Sequence, residues 1–201
     1  MKELLVATRN KKKLAEIKGL LGDLDFKITS LDDYSGLPEI EEDGKTFAAN
    51  AITKAATIAL YTKKLVMGED SGIEVRALSN QPGVYSARFS GEGATDEKNN
   101  RKLLRLLKGI PFKKRQARYR CLIALADGKK LVDVVGGSCS GLIALTSSGH
   151  NGFGYDPLFF IPRYKKTFGV LSPEIKAKLS HRANALKKFR KVIQKYSSNR
   201  Q

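Results

Sequence analysis

The chain has 201 residues, with 37 lysines and arginines against 20 aspartates and glutamates, and a formal net charge of +17. At 41% apolar content it has material for a sizeable core, in one large domain or two small lobes. No run reaches the ~20 apolar residues of a membrane span, and the first residues lack the apolar core and cleavage site of a signal peptide. The two cysteines, Cys121 and Cys139, form no Cys-x-x-Cys pair, which argues against a disulfide framework or zinc site and for a reducing cytoplasm.

Glu3 to Ala7 reads as a buried strand. Thr8-Arg9-Asn10 breaks it, and Lys11 to Leu21 carries helical periodicity through Leu14, Ile17, Leu20 and Leu21, closed by Gly22. Phe26 to Leu31 is a second strand, and Leu37 to Gly44 a loop. Thr46 to Thr62 is an Ala-rich helix. Leu65 to Met67 and Ile73 to Val75 are expected as short strands flanking an acidic turn, Glu69-Asp70-Ser71-Gly72. Asn80 to Gly83 is a loop, and Thr95 to Leu107 a helix with Thr95 or Asp96 as its cap. Ala117 to Ala126 and Lys130 to Val135 form a hairpin about Asp127-Gly128. Ser148 to Tyr155 is a Gly-rich loop, Leu158 to Ile161 a short strand, and Ser172-Pro173 a helix start. A last helix begins near Arg182. Alternating βα units with one hairpin predict an α/β fold with a mixed sheet.

The charge is segregated. From Arg163 to Arg200 the one acid is Glu174, whereas acids gather at Glu39 to Asp43 and at Glu69-Asp70. A cationic chain attracts polyanions, and a nucleic-acid-binding module is the second reading of that charge. No recognised DNA- or RNA-binding motif accompanies it. Adjacent carboxylates bracketed by apolar strands call for a cation. Mg²⁺ takes one or two carboxylates plus water and phosphate oxygens, and the Glu42 loop and Asp70 turn are placed to supply them. A strand running into Thr8-Arg9-Asn10-Lys11-Lys12-Lys13 and then a helix exposes N–H donors that attract phosphate. An ordinary helix cap is the plainer alternative. In Gly152-Phe153-Gly154-Tyr155-Asp156 the glycines permit close approach, and the aromatics either stack on a planar base or cap the core. His181 and Arg182 open the last helix.

Together these segments resemble the inosine triphosphate pyrophosphatase family. The resemblance rests on Thr8 to Lys13, on Glu41-Glu42-Asp43-Gly44-Lys45-Thr46-Phe47 continuing through Asn50-Ala51 to Lys54-Ala55, and on Glu69-Asp70-Ser71-Gly72. It continues through Pro82-Gly83-Val84-Tyr85-Ser86-Ala87-Arg88, Gly152 to Pro157, and Lys176 with Ser180-His181-Arg182. The segments follow family order over nearly the whole chain. Arg9 stands where the family often has Gly, and Ala49 where it usually has Glu.

The resemblance implies a twisted mixed central sheet flanked by helices, with two lobes of one domain around a nucleotide-binding cleft. It implies Mg²⁺-dependent hydrolysis of ITP, dITP or XTP to the monophosphate and pyrophosphate, by a cytoplasmic homodimer; a pyrophosphatase of other base specificity is the nearest alternative. Asp70 would be the proton acceptor and, with Glu42, would hold the metal, with Glu69 either a direct ligand or a group behind the ligands. Thr8, Arg9, Asn10, Lys11, Lys12 and Lys13 would hold the triphosphate, and Ser71 would touch the nucleotide. Phe153, Gly154, Tyr155 and Asp156 would form the base pocket, with Lys176, His181 and Arg182 on the purine edge.

Overall fold

The computed structural model describes residues 2–198, and the end of the basic stretch from Arg163 to Arg200 lies outside them. The chain packs as two compact units. The first comprises the residues up to Asp70, then Cys121–Gly137 and those from Arg182 onward; the second comprises Ser71–Arg120 and Ser138–His181.

In the first unit, strands β1 (Lys2–Val6) and β2 (Phe26–Ser30) pair in parallel, and β1 pairs in parallel with the start of β3 (Leu65–Val75). The far half of β5 (Gln116–Asp127) and the near half of β6 (Lys130–Ile143) extend this to the order β2-β1-β3-β5-β6. Helices α1 (Lys11–Leu21), α2 (Phe47–Thr62) and α5 (His181–Ser198) cover it. Strand side chains alternate between faces, and the core follows that rule. Leu4, Val6, Met67, Cys121 and Ile123 pack with Ile17 and Leu21 of α1 and with Leu186 and Phe189 of α5. Leu5, Ala7, Val66 and Ala124 pack on the other face with Ala51, Ala55, Ile58 and Ala59 of α2. A sheet covered on both faces explains why Leu4-Leu5-Val6-Ala7 reads as an unbroken apolar run.

The second unit carries the far half of β3, paired antiparallel with β4 (Gln81–Pro82). It also holds the near half of β5, the far half of β6, β7 (Phe159–Ile161) and β8 (Lys166–Thr167), with β6-β7 and β7-β8 antiparallel. Its helices are α3 (Asp96–Leu106) and α4 (Pro173–Leu179). Leu103 and Leu107 pack into a core of aliphatic and aromatic side chains, with Phe159 tilted against Tyr119 at 4.6 Å and Phe168 at 5.2 Å between ring centroids.

The α/β class and mixed sheet hold as expected. The span Lys11–Leu21 is recovered, and Thr95 accepts the capping hydrogen bond expected of it, from Lys98 N; Thr46, read as the first residue of its helix, is instead the cap, accepting from Ala49 N. Pro173 opens α4, and the loop from Ser148 is confirmed. Both hairpin strands run longer than expected.

The acidic turn is corrected. Residues 65–75 form one continuous strand, not two strands around a turn. Ser-Gly signals a turn only where the backbone lacks other partners. Here the segment is buried along almost its whole length, and Ile73 N donates to Ser86 Oγ at 2.9 Å.

Candidate active site

Because β3 is a strand, Glu69 and Asp70 point to opposite faces of the sheet. Each carboxylate therefore has its own surroundings, and the structure does not make them a pair.

Asp70 faces α2. Asn50 and Lys54, one helical turn apart, sit on the buried side of that helix. Asn50 Nδ2 donates to Asp70 Oδ2 at 3.0 Å, and Lys54 Nζ stands 3.5 Å from Asp70 Oδ1. The same ammonium contacts Glu42 Oε2 at 2.6 Å, and Asn50 Oδ1 accepts from Gly44 N at 2.8 Å. One lysine thus gathers a loop carboxylate and a strand carboxylate, while one asparagine ties the loop to the same carboxylate. Burial raises the Asp70 pKa above the ordinary aspartate value. Lys54, the Asn50 hydrogen bond and Lys13 pull against that rise without cancelling it. A buried carboxylate of raised basicity is suited to accept a proton.

Glu69 faces α1 and α5. Lys13 Nζ lies 2.9 Å from Oε2; Arg182 Nη2 and the Cys121 thiol lie 3.1 and 3.2 Å from Oε1. Arg182 also pairs with Glu16. Its side chain is 1% exposed, so it is charged and buried only because two carboxylates hold it. Burial alone would lower its pKa, but Glu69, Cys121 and Glu16 outweigh that and raise it. Burial first, then the Glu69 charge, push the Cys121 thiol well above its usual range. It remains a neutral donor.

The start of α1 is a capped helix terminus. Asn10 Oδ1 accepts from Lys12 N and Lys13 N at 3.0 and 3.1 Å, and Thr8 Oγ1 from Asn10 N at 3.1 Å. Lys11 and Lys12 are exposed, and Arg9 makes a surface pair with Asp32.

The second unit brings together Phe153, Gly154, Tyr155, Asp156 and Lys176. Asp156 Oδ2 accepts from Lys176 Nζ at 2.6 Å and from Phe153 N at 2.9 Å, and the ammonium stands 4.9 Å from the Phe153 ring centre. A Cβ on Gly152 would lie 2.0 Å from Asp156 Oδ2, and Gly152 has φ +79°, so only glycine is accommodated. His181 is buried and stacks parallel on Tyr119 at 4.5 Å. Ser71 is half-buried in β3. Both cysteines are free, and among the described residues no helix is long and apolar enough to cross a membrane.

Sequence reasoning gave no role to Glu16, Cys121, Asn100 or Tyr119. Asn50 and Lys54 left a readable signal: two polar residues four apart among the alanines of one helix face.

These features belong to an α/β protein built on a mixed sheet, with a capped helix terminus and a lysine-bridged pair of carboxylates in the first unit and an aromatic, Gly-rich loop in the second. The profile of the Ham1 family matches residues 4–192, and the chain belongs to that family. It is 48% identical over 191 residues to a Desulforamulus reducens protein named dITP/XTP pyrophosphatase, covering 95% of each chain. A Shouchella clausii protein of the same name is 48% identical over 194 residues, 96% of this chain and 98% of that one. Among solved structures, a HAM1 protein from Coxiella burnetii superposes with a TM-score of 0.89 at 38% identity, covering 97% of this chain and all of that one. A nucleoside-triphosphatase, dITP/XTP pyrophosphatase, from Mycobacterium abscessus gives 0.75 at 39% identity, covering 93% and 97%.

Proposed function

We propose that this protein hydrolyses deaminated purine nucleoside triphosphates, ITP, dITP and XTP, to the monophosphate and pyrophosphate. Near-full-length identity of 48% to proteins named dITP/XTP pyrophosphatase carries the reading. The arrangement around Asp70 supports it.

Glu42 and Asp70 are the residues that would hold Mg²⁺. Both are hard oxygen donors, and both already turn to one cation, the Lys54 ammonium. Among the described residues no three His, Cys, Asp or Glu side chains form a ready-made metal cage, so phosphate and water oxygens would complete the shell. When bound, Mg²⁺ supplies neutralisation and orientation of the phosphates.

Water adds across the α–β anhydride, its proton passes to Asp70, and pyrophosphate leaves with the electron pair of the broken P–O bond. Lys54 keeps Asp70 and Glu42 in place. Lys13, with Thr8, Arg9, Asn10, Lys11 and Lys12, takes the triphosphate charge at the start of α1. Glu69 holds Lys13 there and stands behind the metal ligands as a positioning group. Phe153 stacks on the base over Gly154, Tyr155 and Asp156. Lys176 and His181 offer donors to the 6-keto oxygen, and adenine's 6-amino group would leave such donors unpaired; Arg182, 1% exposed, is committed to Glu16 and Glu69. Ser71 contacts the nucleotide.

We assign both units to one functional domain. The chain passes between them four times, so neither is a contiguous segment. A cytoplasmic homodimer accompanies the proposal, and light scattering of the purified protein tests the dimer. The activity is tested by pyrophosphate release from ITP, dITP, XTP, GTP, ATP and dTTP, with and without Mg²⁺. Turnover of the deaminated purines alone, and only with metal, is expected. Preference for a standard nucleotide would sink the assignment.

A further inference from the structure

The Gly154–Tyr155 peptide lies between the stacking ring of Phe153 and the carboxylate of Asp156, and it is gripped on both edges. Its carbonyl accepts from Asn100 Nδ2 of α3 at 2.9 Å. Its N–H donates to the Tyr119 hydroxyl of β5 at 3.1 Å. Asp96 Oδ2 takes the preceding N–H, that of Gly154, at 2.8 Å. Gly154 itself has φ +63°, a conformation that an L side chain would resist but that leaves glycine free to move. External clamps are therefore what fix the peptide plane. The Tyr119 ring is 6% exposed and lies parallel to the His181 imidazole, 7° between planes. One side chain thus touches both the base loop and a residue proposed for the purine edge.

We propose that Tyr119 and Asn100 are positioning residues for base recognition: they hold the Gly154–Tyr155 peptide, and through it Phe153 and Asp156, in the geometry that receives a purine. The inference rests on the nucleotide-binding reading above. Neither residue needs to touch the substrate. Rotation of this peptide swings the residues on both sides of it, so loosening it disorders ring and acid together. The phosphate-holding groups around Asp70 and Lys13 do not depend on it.

The test compares the full-length protein with Tyr119→Phe, Asn100→Ala and Asn100→Asp, by calorimetric titration with inosine 5′-monophosphate and, separately, pyrophosphate. Tyr119→Phe keeps the stacking and removes only the acceptor, so it isolates the clamp. Loss of one such bond is expected to weaken monophosphate binding by about three- to tenfold, leaving pyrophosphate binding within about twofold. Asn100→Asp sets a carboxylate against a carbonyl and weakens the monophosphate more than Asn100→Ala does. With ITP the effect falls on KM more than on kcat. Thermal melting checks folding. Should Tyr119→Phe not fold, the half-buried Asn100→Ala decides the matter.

Unchanged monophosphate affinity in the folded variants overturns the proposal, as does an equal loss for pyrophosphate. If the unmodified protein binds pyrophosphate but not the monophosphate, the nucleotide reading itself fails, which is a distinct result.

Discussion

Gly68→Ala tests the packing on which the Asp70 site depends. Gly68 lies in β3 two residues before Asp70 and faces α2. A Cβ there would stand 2.1 Å from Ala51 O, 2.6 Å from Ala55 N and 3.0 Å from Ala55 Cβ, against an ordinary contact of 3.4 to 4 Å. Two of these atoms are helix backbone, so no side chain can rotate away, and α2 must retreat by about 1.3 Å. The 3.0 Å bond from Asn50 to Asp70 would then exceed hydrogen-bond reach, and Lys54 would move with the helix. Overpacking of this kind costs about 2–3 kcal/mol, which in a chain of this size lowers Tm by roughly 5–10 °C. Misplacing catalytic groups by ~1 Å costs about 10²-fold in turnover. Gly19→Ala is the control, because nothing lies within 4 Å of its added Cβ; in a helix it should stabilise by ~0.5–1 kcal/mol. Both variants would be followed by thermal melting and pyrophosphate release from ITP. A Gly68→Ala protein that melts within ~1 °C of the parent and turns over at full rate would refute the packing argument.

Lys54→Met removes the ammonium shared by Glu42 and Asp70, and kcat/KM for ITP should fall by about 10²-fold or more; a change under ~threefold would remove Lys54 from the account. Lys176→Met leaves Asp156, 2% exposed, without its ammonium and should cost ~3–5 kcal/mol. Adding Asp156→Asn should recover part of that loss in chemical denaturation, and no recovery would contradict a coupled pair. Glu3 gives a pH signature away from the site. Burial raises its pKa, but hydrogen bonds from Lys64, Tyr34 and Thr29 prevail and hold it at about 2, against an ordinary 4.5. Its stabilisation is thus complete above pH 4.5 and vanishes as pH falls toward 2. With Lys64 partly exposed, it amounts to about 1 kcal/mol. Glu3→Gln should melt below the parent at pH 7 and alongside it near pH 2; a gap that is constant with pH would exclude the linkage.

Local structure was readable where local physics decides it. The apolar spacing of α1, the Thr95 cap of α3 and the Asp127-Gly128 turn act within a few residues of chain. The continuous β3 strand was not readable, because Ser71-Gly72 signals a turn until the segment is seated in a sheet and the Ser86 hydroxyl takes the N–H of Ile73 that follows. That one difference governs the site. On a turn Glu69 and Asp70 look like a carboxylate pair, whereas on a strand they serve opposite faces. The cations that neutralise them, Lys13 and Arg182 for Glu69 and Lys54 for Asp70, come from distant segments, and no spacing rule joins these. Family resemblance named most of the residues. It did not supply the partners that hold Glu69 and Asp70 on opposite faces of the sheet, or the clamps on Gly154.

The most direct test of the central claim is the product ratio from ITP incubated with the purified protein and Mg²⁺, resolved by anion-exchange chromatography and phosphorus NMR. The account predicts inosine monophosphate and pyrophosphate in equal amounts, with ATP left intact and no turnover after Asp70→Asn. Inosine diphosphate with free phosphate, or equal consumption of ATP, would contradict it.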